Sequence, residues 1–147
     1  MTVGNNHKTL HASCVLIQTS GVLILGPSGS GKSSLALRLI GLGGKLIADD
    51  RTILTYQKNR VMAACPEPIQ DRIEARGVGI IKLGSNKCAQ ISLVVDMGST
   101  AKARMPTDET YDLFGIDFPL IRSAPLNAFA EAVYYSTVGS LERGGIR

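Results

Sequence analysis

The sequence predicts an α/β domain, and three observations point to it. Short runs of Val, Leu and Ile recur along the chain. One of them enters a glycine-rich turn that opens a helical stretch. Strand-like and helix-like segments also mix along the chain instead of separating into blocks. With 147 residues, 44% hydrophobic and 19% charged, the chain suits a single domain, 1–147, with its own core.

Taken in order, residues 12–18 (Ala-Ser-Cys-Val-Leu-Ile-Gln) and 22–25 (Val-Leu-Ile-Leu) read as strands joined by the turn Thr19-Ser20-Gly21. The glycine-rich segment 26–31 leads into a helix over about 32–40, with Leu35, Leu37, Leu39 and Ile40 as its apolar surface. Gly41, Gly43 and Gly44 stop that helix. Residues 45–48 form a third strand that ends in Asp49-Asp50. Segments 52–57 and 60–65 flank Lys58-Asn59 as a hairpin. Pro66-Glu67-Pro68 starts one or two helical turns, with Ile69 and Ile73 four apart and Gly77 as terminator. Residues 79–83 and 91–95 are further strands. The mixed composition of 97–117 reads as an exposed, partly mobile loop. Leu126, Phe129, Ala130, Val133 and Leu141 mark one side of a last helix, broken at Gly139.

Composition narrows the function classes. Sixteen Lys and Arg against twelve Asp and Glu leave a net charge of +4, which suits an anionic ligand but is too scattered for a nucleic-acid surface. Aromatics are 5% and Trp is missing, so there is little to stack bases on. No apolar run approaches the roughly 20 residues that span a bilayer, and the first residues lack a secretory signal's apolar core. Cys14, Cys65 and Cys88 are odd in number and widely spaced, so they read as small core residues, not a disulfide framework or a zinc site. The expected setting is the cytoplasm.

Gly26-Pro27-Ser28-Gly29-Ser30-Gly31-Lys32-Ser33 satisfies G-x-x-x-x-G-K-[ST], between an apolar strand and a helix. Glycines let the backbone approach an anion, and successive N–H groups converge on phosphates at the positive end of the helix. Ser34 continues this segment. Lys32 reaches the outer phosphates and the Ser33 hydroxyl suits Mg²⁺. The plain alternative is a glycine-rich turn without a ligand. Background composition would produce the pattern in on the order of one chain in a few hundred of this length. The motif therefore predicts a nucleoside triphosphate or another polyphosphate.

Magnesium-dependent transfer also needs carboxylates at the edge of the sheet where the loop lies. Asp49-Asp50 and Asp96 both follow apolar strands. A generic ATPase would use Asp96. A kinase would use the pair, because adjacent side chains at a strand end point opposite ways, one toward metal and one toward an acceptor's proton. A charged helix end before glycine is the plain explanation of Glu74 and Arg76, and a strand edge that of His11.

Together these elements resemble the HPr kinase/phosphorylases, bacterial enzymes whose catalytic domain has a P-loop fold related to phosphoenolpyruvate carboxykinase, a mixed sheet with flanking helices. The resemblance is carried by Leu10-His11, the glycine-rich loop, Leu46-Ile47-Ala48-Asp49-Asp50, and Ile73-Glu74-Ala75-Arg76-Gly77-Val78-Gly79-Ile80-Ile81. That last segment is similar to the family signature Leu-Glu-Ile-Arg-Gly-Leu-Gly-Ile-Ile. The resemblance implies a catalytic C-terminal domain in a short form, with ATP and Mg²⁺ as cofactors and an HPr-type phosphocarrier, or its nitrogen-related paralogue, phosphorylated on serine. It implies Asp50 as proton acceptor in the kinase direction and donor in reverse, with Asp49 beside it and His11 close to both. Lys32 would hold the β and γ phosphates, and Ser33 and Glu74 the Mg²⁺. A hexamer is common in the family.

Two departures bear on the reverse reaction, in which inorganic phosphate releases the carrier and pyrophosphate forms. Where the family often has Tyr-Asp-Arg-Leu-Gly, this chain has Tyr111-Asp112-Leu113-Phe114-Gly115. Where it has Pro-Val-Arg-Pro-Gly-Arg-Asn, this chain has Pro119-Leu120-Ile121-Arg122-Ser123-Ala124-Pro125, leaving Arg122 as the surviving catalytic arginine. Loss of cations weakens the joint binding of phosphoserine and phosphate, so kinase activity is the firmer expectation. The alternatives are a small-molecule kinase, with 97–117 as its lid, and a non-catalytic ATP-sensing module.

Overall fold

Short apolar runs, punctuated by turn residues every few positions, give a molecule dominated by strands. The computed structural model describes residues 6–66, 71–84 and 86–139. In chain order these form β1 (His7–Leu10), β2 (Ala12–Ile17), β3 (Ser20–Leu25), α1 (Lys32–Gly41), β4 (Lys45–Ala48), β5 (Thr52–Gln57) and β6 (Arg60–Ala64). Then follow β7 (Arg72–Ala75), β8 (Gly79–Lys82), β9 (Cys88–Thr100), β10 (Thr110–Leu113), β11 (Ile116–Ser123) and α2 (Phe129–Val138).

Among the described residues one mixed sheet runs β1-β5-β6-β9-β3-β2-β4, and β11 joins it on β9 with β10 outside. The 13-residue β9 is the spine. Its start pairs antiparallel with β6 (Ala64 opposite Cys88), and its later part pairs parallel with β11 (Leu120 opposite Val94). Its other edge runs parallel to β3. Strands buried on both faces need near-continuous apolar runs, and Val22, Leu23 and Ile24 supply one.

Side-chain alternation splits the core in two. Val22, Ile24, Leu93 and Val95 point to the face covered by Leu35, Ala36 and Leu39 of α1 and by Ala130 and Val133 of α2. Leu23, Ile47, Leu54, Val61 and Val94 fill the other face, where Leu113, Phe118 and Leu120 join them. Both described helices thus lie on one face, and strands close the other. α1 ends in a Schellman arrangement, with Gly43 N–H donating to the Ile40 carbonyl (3.0 Å) and Gly44 N–H to that of Leu39 (2.9 Å).

Several expectations need correction. The first turn is Gln18-Thr19, because Ile17 pairs with Ser20. Gly21 is a strand residue whose added Cβ would sit 2.6 Å from the Gln90 carbonyl oxygen. Residues 67–70, including Ile69, lie outside the described residues, as does Leu141. Ile73 is a strand residue opposite Ile81, so Glu74 and Arg76 belong to the small β7–β8 hairpin and not to a helix end. Gly77 makes that hairpin's turn. The i,i+4 spacing misled because Ile73 is buried by strand alternation, with exposed Arg72 and Glu74 beside it. Segment 97–117 is a loop only in part: β9 runs to Thr100, and β10 and β11 pair around Phe114-Gly115. Leu126 is 53% exposed and precedes α2. Cys14 and Cys65 are buried, but Cys88 is exposed.

Candidate functional site

The chain leaves β3 at Leu25 and turns through Gly26, where any Cβ would meet Ser30 Oγ at 2.4 Å. Ser30 N–H donates to the Pro27 carbonyl (3.1 Å), closing the loop. Gly31 sits at the N-cap of α1 with φ 103°, no side chain caps the helix, and its first turn carries no acid. That leaves the orphan N–H groups of a helix start facing an uncapped end. Ser30 Oγ is buried without a hydrogen-bond partner among the described residues. An uncapped helix start beside a lysine fits a bound polyphosphate.

Lys32 is 4% exposed. Its ammonium donates to the Pro27 carbonyl at 3.3 Å and lies 3.6 Å from Asp50 Oδ1. Both contacts are long, so the charge stays available to a ligand. His11 Nε2 is 2.6 Å from the same Asp50 oxygen. Asp50 adopts φ 69°, a left-handed turn that aspartate tolerates, and its side chain is 58% exposed.

Asp49 points elsewhere. Its Oδ1 accepts from Ser33 Oγ (2.7 Å) and Ser13 Oγ (3.0 Å), and its Oδ2 accepts from Glu74 N–H (3.1 Å). It therefore ties β2, α1 and β7 together and fixes the hydroxyl of Ser33. The two acids face different partners through a left-handed turn at Asp50 beyond the end of β4, not through strand alternation. Ser13, fully buried, completes the arrangement by also accepting from Asp50 N–H at 3.0 Å. Sequence reasoning missed Ser13. Its signal was a lone hydroxyl inside the apolar run of β2.

These residues line one cleft of about 470 Å³, with Ser28, Gly29, Gly31, Ser33 and Ser34 on one side and Asp49 and Asp50 on another. Glu74, Ala75, Arg76 and Val78 of the hairpin form the remaining wall. The volume is in the range of small-molecule sites. The acids do not sit on the strand next to β3, because antiparallel β2 lies between β3 and β4. Among the described residues no preformed cluster of three metal-ligating side chains exists. Mg²⁺ bound with phosphates needs only one or two protein ligands, so Ser33 and Glu74 remain compatible with it. Cys65, near Asp49 and Asp71, has its thiol pKa pushed up, first by burial and then by those two charges.

His11 meets this cleft only through Asp50, while Asp96 and Arg122 lie apart from it. Asp96 pairs in register with Leu25 beside the loop, but its Oδ1 accepts from Gly98 N–H and its Oδ2 from Ser99 Oγ, both at 2.8 Å. Arg122 lines a second cleft of about 470 Å³ with Ser99, Lys102, Met105 and Glu109. Its guanidinium donates to Glu109 at 2.9 and 3.2 Å and to Ser99 Oγ at 2.6 Å. The Glu109 hydrogen bonds foremost, with the Glu109 and Asp96 charges, raise the Arg122 pKa. The expected grouping of Arg122 with His11, Lys32 and the acid pair is therefore not what the fold gives, since its donors already have acceptors.

The family model described as the HPr Serine kinase C-terminal domain matches residues 5–117. The chain belongs to that family. The HPr kinase/phosphorylases of Xanthomonas campestris pv. campestris (strain B100) and Xylella fastidiosa (strain M12) are each 45% identical over 76 residues. That stretch is 51% of this chain and 24% of either relative, so the chain matches about a quarter of their length. The solved Hpr(Ser) kinase/phosphatase from Coxiella burnetii superposes with a TM-score of 0.76 at 26% identity, covering 89% of this chain and 88% of that one. The α/β fold is thus that of an HPr kinase domain. The matched family region ends before Arg122. No helix among the described residues is long and apolar enough to cross a membrane.

Proposed function

We propose that this protein is a protein-serine kinase that uses ATP and Mg²⁺ to phosphorylate an HPr-type phosphocarrier. The observation that carries the reading is Lys32 and Asp50 meeting at 3.6 Å in a cleft walled by the phosphate loop and the β7–β8 hairpin. Lys32 and the N–H groups of the loop would hold the triphosphate, and Ser33 and Glu74 the metal. Bound Mg²⁺ supplies neutralisation of the charge on the transferring phosphoryl group.

The protein's own part is positioning and proton handling. The acceptor's serine oxygen attacks the γ-phosphorus, the bond to the β–γ bridging oxygen breaks, and ADP departs. The serine proton passes to the Asp50 carboxylate, which His11 holds at 2.6 Å. Asp49 keeps Ser33 oriented instead of reacting.

The reverse reaction has weaker support. Leu113, where the family often has arginine, is 1% exposed in the core, and Arg122 is engaged by Glu109. The small-molecule alternative loses its lid, because much of 97–117 is strand and its loop lines the other cleft. Incubating the protein with HPr, Mg²⁺ and labelled ATP tests the reading. Phosphoserine on the carrier is expected, and its absence across Mg²⁺ and Mn²⁺ would refute it.

A further inference from the structure

The residues beneath the phosphate loop have a construction of their own. Leu25, Asp96 and Arg122 form one row across β3, β9 and β11. Beyond that row the register slips: Arg122 pairs with Asp96, yet the next residue, Ser123, pairs with Thr100. Met97, Gly98 and Ser99 therefore bulge from the sheet at the point where β3 becomes the loop.

The bulge touches the loop. A Cβ on Gly98 would lie 3.0 Å from Pro27 Cδ, and a Cβ on Gly26 would lie 3.2 Å from Gly98 N. The Met97 methyl sits 3.4 Å from where a Cβ of Gly31 would be. Asp96 fixes the bulge through its two 2.8 Å bonds to Gly98 and Ser99, an Asx-type turn. Arg122 holds Asp96 at 3.6 Å and Ser99 at 2.6 Å, while Glu109 holds Arg122.

We infer that Asp96 and Arg122 are positioning residues for nucleotide binding: they clamp the β9 bulge that forms the floor of the phosphate loop. Both side chains act through Met97 and Gly98 and touch neither substrate nor metal. An aspartate at the end of the strand beside a phosphate loop here serves the backbone. The inference rests on the proposed function only for its nucleotide.

Equilibrium binding of a fluorescent ATP analogue, with KM and kcat for both substrates, tests it. Asp96→Ala is expected to weaken analogue binding roughly tenfold, as a small displacement of a binding loop does. KM for ATP should rise in parallel, with kcat at saturating ATP and KM for the carrier within about twofold of wild type. Asp96→Asn, which keeps an acceptor for Gly98, should recover part of the loss. Arg122→Ala should weaken binding too, but add little in the Asp96→Ala background. Gly98→Ala presses a methyl on both Pro27 Cδ (3.0 Å) and Asp96 Oδ1 (3.2 Å), so it perturbs floor and clamp together and should weaken analogue binding as well. Unchanged analogue affinity in Asp96→Ala, Arg122→Ala and Gly98→Ala, or a shift confined to the carrier's KM, would overturn the inference. Wild-type protein that binds no analogue would instead sink the proposed function.

Discussion

In each of the two clefts, about 470 Å³ in volume, a cation meets carboxylates, yet Lys32 and Arg122 are placed for different work. Lys32 is buried, with a 3.3 Å bond to a carbonyl and a 3.6 Å contact to Asp50. Arg122 is a third exposed and makes bonds of 2.6, 2.9 and 3.2 Å to Ser99 and Glu109. A charge with long contacts can transfer its interaction to an incoming anion. A fork already filled by a carboxylate must first give up its bonds to Glu109. Cleft size and residue type are alike here. The state of the donors separates a binding site from a brace.

The contrast is broken most severely at the first cleft. Asp50→Asn is expected to lower kcat for phosphate transfer by roughly 10²–10⁴-fold while nucleotide binding persists. Lys32→Ala should abolish both, by on the order of 10²-fold or more. A steady-state assay with a binding titration checks the pair, and an active Asp50→Asn would remove the base assignment. Ser13→Ala comes next. It strips Asp50 N–H of its acceptor and Asp49 of a donor in a buried place, which costs about 1–3 kcal/mol. Urea unfolding should register that loss along with a reduced kcat.

At the second cleft the expectation is smaller. Glu109→Gln removes the charge from a partly exposed pair, worth under about 1 kcal/mol in stability. A loss of phosphate transfer exceeding what Arg122→Ala produces would reverse the contrast, making Glu109 a participant. A separate effect is one of pH. Burial holds the Cys14 and Cys65 thiols protonated beyond the ordinary thiol pKa of about 8.5. Above that pH the unfolded chain binds fewer protons, so stability is intact below it and declines as pH rises. Urea midpoints between pH 8 and 10 should show that slope, and a Cys14→Ala, Cys65→Ala variant should flatten it.

Much of this was readable from the chain. The phosphate loop, α1, β4 and the Lys58-Asn59 hairpin follow from local rules: glycine where the backbone must bend, alternation in strands, a two-residue turn. The opposite facing of Asp49 and Asp50 was expected from the strand period, but a left-handed turn at Asp50 beyond the end of β4 produces it. What escaped was set by distant partners. β10 and β11 carry polar and charged residues suited to a loop, and become strands because β9 offers β11 an edge and β11 offers one to β10. Ile73 fits helical spacing equally well until Ile81 pairs with it. The separation of Arg122 from the first cleft comes from strand order, with β9, β3 and β2 between β11 and β4, which no composition encodes.

The left-handed backbone at Asp50 sets which replacements the chain can accept there. Asparagine and glycine are the replacements that sit there without strain. Descendants losing the acid by those routes would keep their shape and their grip on nucleotide while falling silent, so a silent relative would persist as a folded decoy, not as debris.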